Sequence, residues 1–512
     1  MRPKASYGAL LASNNNEDGL NNDAAAFSNI PTDQVEHYAD SNTSTEQQTL
    51  VSIMDRLQNS ETSIITDRKR NYPLIVLILA VSSGFIYFMC SQVLDLHLPS
   101  SQKRDENDDD ARGLSLSAYQ KLHEIGLDAY LGRHTAESSE DAENGWTKHT
   151  FDNQSTRKLR DGRRMDGPSC ISGDSYSVFS RKGSDSSSLL IFLQGGGACW
   201  SDFYQCSVNT DGQEPPFTFS EWGGGGGKRK NGVWDDDNPS NPFRDYNIVY
   251  MPYCDGSAWV GDNDVKDPSF PDGDGSGWRY HRGLQNQSAG LDVAKSIFPN
   301  VDRITLAGSS AGGIGVSTFT PFLVRFLFGN GVDLSVFNDA GPVMYNPSQE
   351  DIHELTESEW GYQKYFLPSC KGSSFFDRFF DWIGFHYYMK HKCHTTDFIR
   401  WRLDNDLTVR DAFYETDGDM ANRYFLGLLT RAPNDGATFR RLVVDELGSV
   451  AHAHADRYRR FIVSGDQTHT ILQSDHFYDQ TANGVLLTEW TEHFLMFSPQ
   501  WKDIVEENDL HI

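Results

Sequence analysis

Gly308-Ser309-Ser310-Ala311-Gly312 fits the pattern G-x-S-x-G. A serine hydroxyl is a weak nucleophile at neutral pH. To attack an ester it needs an imidazole to take its proton, a carboxylate to orient that imidazole, and N–H donors for the developing oxyanion. A sharp strand-to-helix turn can mount such a serine at its apex, and flanking glycines avoid the Cβ clashes that the turn would otherwise create. The run "RITLA" before the motif has strand character and Ala311–Phe328 after it has helical length. That context favours Ser310 as a nucleophile over the alternative, an inert serine in a tight turn. Ser309 occupies the x position.

"LQGGGACW" (Leu193–Trp200) follows an early apolar run. A glycine-rich loop there lets backbone N–H groups approach a substrate without side chains in the way. Gly196 and Gly197 are the oxyanion candidates, with Ala311 as a third donor. A phosphate loop is the rival reading, but no Gly-Lys-Ser/Thr follows. The general base belongs in a loop after the last core strand, and "RFIVSGDQTHTIL" (Arg460–Leu472) supplies His469 there. His476 is its near rival, while His452 and His454 precede the strand. The acid must lie between nucleophile and base. "VRDAFYETDGDMANRYFLG" offers Asp417 and Asp419, and spacing alone does not choose between them. This chemistry calls for no metal and no cofactor.

These groups need a scaffold. Ser188–Gln194, Tyr246–Met251, Arg303–Ala307 and Arg460–Ser464 read as short buried strands, with helical stretches at Gly283–Phe298 and Ala311–Phe328. Strands alternating with helices predict an α/β domain, α/β-hydrolase-like, with a mostly parallel central sheet flanked by helices. Its length, 146–505, implies loop insertions, of which Gly223–Lys228 ("GGGGGK") is one.

Upstream the composition changes. Residues 1–72 are polar and read as a disordered tail. Pro73–Leu94 is an uncharged apolar run of the length that spans a bilayer as one helix. "DRKR" precedes it and the acidic "DENDDDAR" follows it, which predicts a cytoplasmic N-terminus and an uncleaved signal anchor. Residues 95–145 read as an acidic, serine-rich stem, 146–505 as a luminal or extracellular domain, and 506–512 as a tail. The expected location is the Golgi or the cell surface. A net charge of −27 argues against a nucleic-acid partner. Of seven cysteines, Cys90 lies in the apolar run and six lie beyond it, an even set that suits an oxidising compartment. The favoured pairs are Cys199–Cys206 and Cys370–Cys393, leaving Cys170–Cys254. Asn153 and Asn286 each begin an N-Q-S glycosylation tripeptide.

Taken in order, several stretches resemble the pectin acetylesterase/Notum family of serine carboxylesterases, over roughly Trp146–Met496. They are "LQGGGACW", "DNPSNPFRDYNIVYMPYCDGSAWVGD", "GSSAGG", "NDAGP", "DMANRYFLG" and "GDQTHTIL". The resemblance selects Asp419 over Asp417 as the acid. It implies a Ser310–His469–Asp419 triad acting on O-acyl esters, O-acetyl first among them. The substrate partner it implies is an acylated polysaccharide, glycan or secreted protein. The anchor, tail and glycine insertion depart from the family pattern. Two other functions fit parts of the chain. A Golgi glycosyltransferase shares the tail–anchor–stem layout, with Asp-Gly-Asp at Asp272–Asp274 or Asp417–Asp419 as a metal-binding pair. A catalytically inactive binding protein would share the fold.

Overall fold

Strand β4 (Asp185–Leu193) is nine residues long, and its last six are buried. Strand side chains alternate faces, so an unbroken buried run requires cover on both sides. The computed structural model supplies that cover. Leu189, Ile191 and Leu193 belong to one core cluster, with Leu284, Val316, Phe322 and Phe398 from helices. Leu190 and Phe192 belong to the other, with Trp490 and Phe494. The described residues are 113–142, 145–151, 157–158, 164–165, 167–206, 231–270, 277–370, 393–429 and 435–507. The apolar run 73–94, Asn153, Gly223–Lys228 and Asp272–Asp274 lie outside them.

Among the described residues the main sheet has ten strands. In chain order these are β1 (Ser138–Asp141), β2 (Trp146–Phe151), β3 (Tyr176–Arg181), β4, β5 (Tyr246–Met251), β6 (Arg303–Ser309), β7 (Asp333–Asp339), β8 (Arg410–Thr416), β9 (Tyr458–Val463) and β10 (Ile504–Val505). Across the sheet they run β1-β2-β3-β5-β4-β6-β7-β8-β9-β10. The pairings from β5 to β10 are parallel, and those linking β1, β2, β3 and β5 are antiparallel. The expected α/β-hydrolase-like sheet is therefore present, with an antiparallel edge. β4 pairs with β5 on one side and β6 on the other, so the winding reverses there. In open α/β sheets the crevice at such a reversal, at the carboxyl ends of the strands, is where ligands bind.

The described helices include α1 (Leu116–Glu124), α2 (Gly283–Ile297), α3 (Ala311–Ser317), α4 (Thr320–Phe328), α5 (Thr395–Asn405), α6 (Met420–Phe425) and α7 (Leu487–Leu495). The continuous helix expected over Ala311–Phe328 is broken into α3 and α4, which bend by 50°. Pro321 cannot donate an N–H, so it fits only the first turn of a new helix. Thr318 and Thr320 hydroxyls donate to the carbonyls of Ile314 and Gly315 and close the break.

Residues 113–142, assigned to the stem by composition, pack onto this domain instead. Tyr119 and Leu122 of α1 are buried in the core, and Gly132, Arg133 and His134 donate backbone N–H groups to Asp292 of α2. Among the described residues, no single helix is long and apolar enough to cross a membrane. Three disulfides join Cys170 to Cys254, Cys199 to Cys206 and Cys370 to Cys393. Asn286 corrects the sequence reading. It sits on α2, 1% exposed, its amide donating to Ser169 O (3.0 Å) and accepting from Ser169 N (2.9 Å). An amide nitrogen committed inside the core carries no glycan.

Candidate active site

Ser310 ends β6 with φ 55° and ψ −120°. A non-glycine residue at positive φ is strained and persists where its surroundings over-determine it. Two contacts fix the turn. Ser310 N donates to Asp339 O (2.8 Å), and Ser309 Oγ donates to Asp339 Oδ2 (2.5 Å). Ser309 is 1% exposed and turned inward, whereas Ser310 is half-buried at the apex. Ala311 opens α3, so its N–H is one of the donors that helix geometry leaves unbonded.

The glycine loop after β4 lies against this elbow. A Cβ on Gly195 would sit 2.5 Å from Ser309 O and 2.8 Å from Ser310 Cβ, so only glycine permits the approach. The loop is held from behind. Trp259 Nε1 donates to Gln194 O (3.0 Å), and the Tyr253 hydroxyl donates to Gly197 O (3.1 Å). Gly196 and Gly197 follow, and Gly197 begins a short hairpin, Gly197–Trp200 with Phe203–Cys206, closed by the Cys199–Cys206 disulfide.

His469 lies beyond β9, with its side chain 26% exposed. Its Nδ1 is 2.6 Å from Asp419 Oδ2, and Asp419 is fully buried. Asp419 caps α6 by accepting from Asn422 N (2.9 Å). The histidine loop is anchored on both sides. Thr416 Oγ1 donates to Thr468 O (2.9 Å), and Ile471 N and Leu472 N donate to Asp339 (2.9 and 3.0 Å). Asp339 thus ties elbow to histidine loop through one carboxylate. Its position within "NDAGP" was visible in the sequence, but its role depends on partners about 30 and 130 residues away.

The competing residues are placed elsewhere. Asp417 faces Arg440 Nη1 (2.5 Å), Ser464 Oγ and Gly465 N. Asp417 and Asp419 therefore point at different partners and do not form a paired ligand set. His476 is largely exposed and 3.4 Å from Asp479. His454 is beside Asp404, and His452 is exposed.

Electrostatics follow the geometry. Burial pulls the His469 pKa down, but the Asp419 charge and hydrogen bond, with Asp339 behind them, outweigh it and hold it above 6.5. Burial pushes Asp339 up to about 6 against the bonds it accepts. A strained serine at a strand end, a carboxylate-bound histidine and a glycine loop, all at the carboxyl ends of a parallel sheet, define an α/β-hydrolase-like protein.

Comparison with known proteins refines that class. Residues 155–365 match the family model described as Pectinacetylesterase. The chain is 30% identical over 129 residues to a palmitoleoyl-protein carboxylesterase NOTUM of Schmidtea mediterranea, covering 25% of this chain and 22% of that protein. It is 29% identical over 155 residues to palmitoleoyl-protein carboxylesterase notum1 of Xenopus laevis, covering 29% and 28%. The chain thus spans about a quarter of the length of these curated relatives. A Drosophila structure titled as the Wnt deacylase Notum superposes with TM-score 0.45 at 16% identity, over 66% of this chain and 93% of that one. Over these segments the chain is similar to pectin acetylesterases and Notum carboxylesterases. The matched segment 155–365 includes the glycine loop, Ser310 and Asp339 but ends before Asp419 and His469.

Proposed function

We propose that this protein is a serine carboxylesterase that removes O-acyl groups, O-acetyl foremost, from a secreted or cell-surface polysaccharide, glycan or protein. The observation that carries the reading is the 2.6 Å contact between His469 Nδ1 and Asp419 Oδ2, on a loop tied through Asp339 to the strained Ser310 turn. Asp419 fixes the tautomer that leaves Nε2 free to accept a proton. Ser310 Oγ attacks the ester carbonyl as His469 takes its proton, and the Asp419 charge stabilises the imidazolium formed. The N–H groups of Gly196, Gly197 and Ala311 receive the tetrahedral oxyanion. His469 then protonates the departing alkoxide. Water, activated by the same imidazole, releases the acyl group and restores the serine.

The acyl group is the open variable between the family's two namesakes, one described by an acetyl ester and the other by a palmitoleoyl protein. A series of aryl esters from acetyl to palmitoyl, with purified protein beginning near residue 113, tests both activity and chain length. Preference for acetyl supports the proposal. Preference for C16 transfers it to lipid deacylation, and no hydrolysis of any member removes it. The disulfides suit an oxidising compartment. We place the domain in the secretory pathway, with residues 73–94 as its anchor.

A further inference from the structure

Glu415 is the next-to-last residue of β8 and is fully buried, four residues before Asp419. Its Oε1 accepts from Thr416 N (3.0 Å) and its Oε2 from Asn422 Nδ2 (2.8 Å). Asn422 N in turn donates to Asp419 Oδ1 (2.9 Å), and Asn422 Nδ2 also reaches Ala340 O (2.9 Å). One asparagine therefore spans two buried carboxyl groups, reaching Glu415 through its side-chain amide and Asp419 through its backbone N–H. Among the described residues no Lys, Arg or His pairs with Glu415, whereas Asp419 has His469. The other titratable groups nearby are Tyr414, whose buried hydroxyl has no partner, with Asp339 and Asp466 beyond it. Every one of those neighbours is acidic or neutral.

Two adjacent buried carboxylates without a cation between them do not both ionise. Asp419 is the one that meets an imidazole, so the negative charge resides there and the proton on Glu415. We propose that Glu415 is a positioning residue for the histidine–aspartate couple: a neutral carboxylic acid that donates its O–H to Asp419. The donated hydrogen bond holds the Asp419 carboxylate in the plane that meets His469 Nδ1. It also withdraws charge from that carboxylate, so the imidazole is less basic than a lone aspartate would make it. Burial first, then the charge and hydrogen bond of Asp419, push the Glu415 pKa well up, in keeping with this arrangement. The inference rests on the esterase reading above and adds a fourth side chain to it.

The test is the pH dependence of kcat/KM for Glu415→Gln and Glu415→Leu, with Ser310→Ala in the same assay. Glutamine keeps an uncharged donor, so its acid limb should coincide with wild type, even though it loses one accepted bond and some turnover. Leucine removes the donor, so Asp419 regains charge density. The acid limb should then move to higher pH, and kcat should fall by about tenfold with KM little changed. A downward move of the acid limb in Glu415→Gln would show that a negative charge had been lost, and would overturn the neutral-acid role. Because that variant is nearly isosteric, its profile decides the question even if Glu415→Leu fails to fold. Coincident profiles in all Glu415 variants, with Ser310→Ala inactive, overturn the role of Glu415 alone. Full turnover by Ser310→Ala overturns the esterase reading and the role of Glu415 with it.

Discussion

His469 carries opposite demands from activity and stability. As a general base it must be neutral, so kcat/KM should fall as pH drops through its raised pKa, with an acid limb above 6.5. The same raised pKa contributes stability that is fully present below about 6.5, the unfolded value, and is lost as pH rises through the folded value. Asp419→Asn removes the charge that does the raising. Its acid limb should move down, and turnover should fall on the order of 10^4-fold. A pH–rate profile of the variant checks both, and an unmoved limb would assign the raising to another group. Asp339→Asn tests the tie between the two loops. An amide there offers an N–H₂ to Ser309, Ile471 or Leu472, all of which are donors to the carboxylate. It should cost about 1–3 kcal/mol of stability and lower kcat with it. Denaturant melts and initial rates read the two effects, and a variant equal to wild type in both would show that Asp339 does not tie the loops.

At the scale of elements, the site is built where β4 and β6 part. Gly195 lies against the Ser309–Ser310 turn, and Gly195→Ala should leave the two core clusters intact while disrupting the elbow. Loss of most esterase activity with little change in melting temperature is the expected result; retained activity would mean the loop has room that the structure does not show. A stack of rings joins two other parts of the site. Trp200 stacks on Phe203 with centroids 4.1 Å apart, and Phe203 packs on Tyr424 and Phe425. It links the hairpin after the glycine loop to α6, which Asp419 caps. Much of this framework was legible in the chain. Tyr246–Met251 and Arg303–Ser309 announce themselves as apolar runs because both of their faces are buried. The α3–α4 break was less legible, since the apolar pattern continues across it and only Pro321 marks the interruption. α1 was hidden in a polar segment, its attachment resting on a few residues such as Tyr119 and Leu122. Asp339 and Glu415 could not be read as site residues at all. Their partners come from other strands, and nothing in local spacing separates a buried carboxyl from a surface one. Asn286 misled for the converse reason: a glycosylation tripeptide carries no information about burial.

For the whole molecule, the anchor proposed at residues 73–94 carries a prediction about topology. Protease added to intact microsomes should shorten the chain only by the tail before residue 73; digestion of the domain without detergent would reverse the topology. The net charge of −27 is spread over a chain whose buried carboxylates are mostly paired, as in Arg325–Asp406 and Arg402–Asp411. Among the described residues Asp339 and Glu415, behind His469, form no ion pair, and neither does the buried Asp255 beside Ser257. Everything in the mechanism depends on one oxygen atom, Ser310 Oγ. The most direct measurement is to treat the purified protein with a fluorophosphonate and map the adduct by fragmentation of the peptide that holds both Ser309 and Ser310. The mechanism predicts one adduct, on Ser310, abolished in Ser310→Ala. An adduct on Ser309, equal labelling of the alanine variant, or an unlabelled wild-type protein that still hydrolyses esters would contradict it.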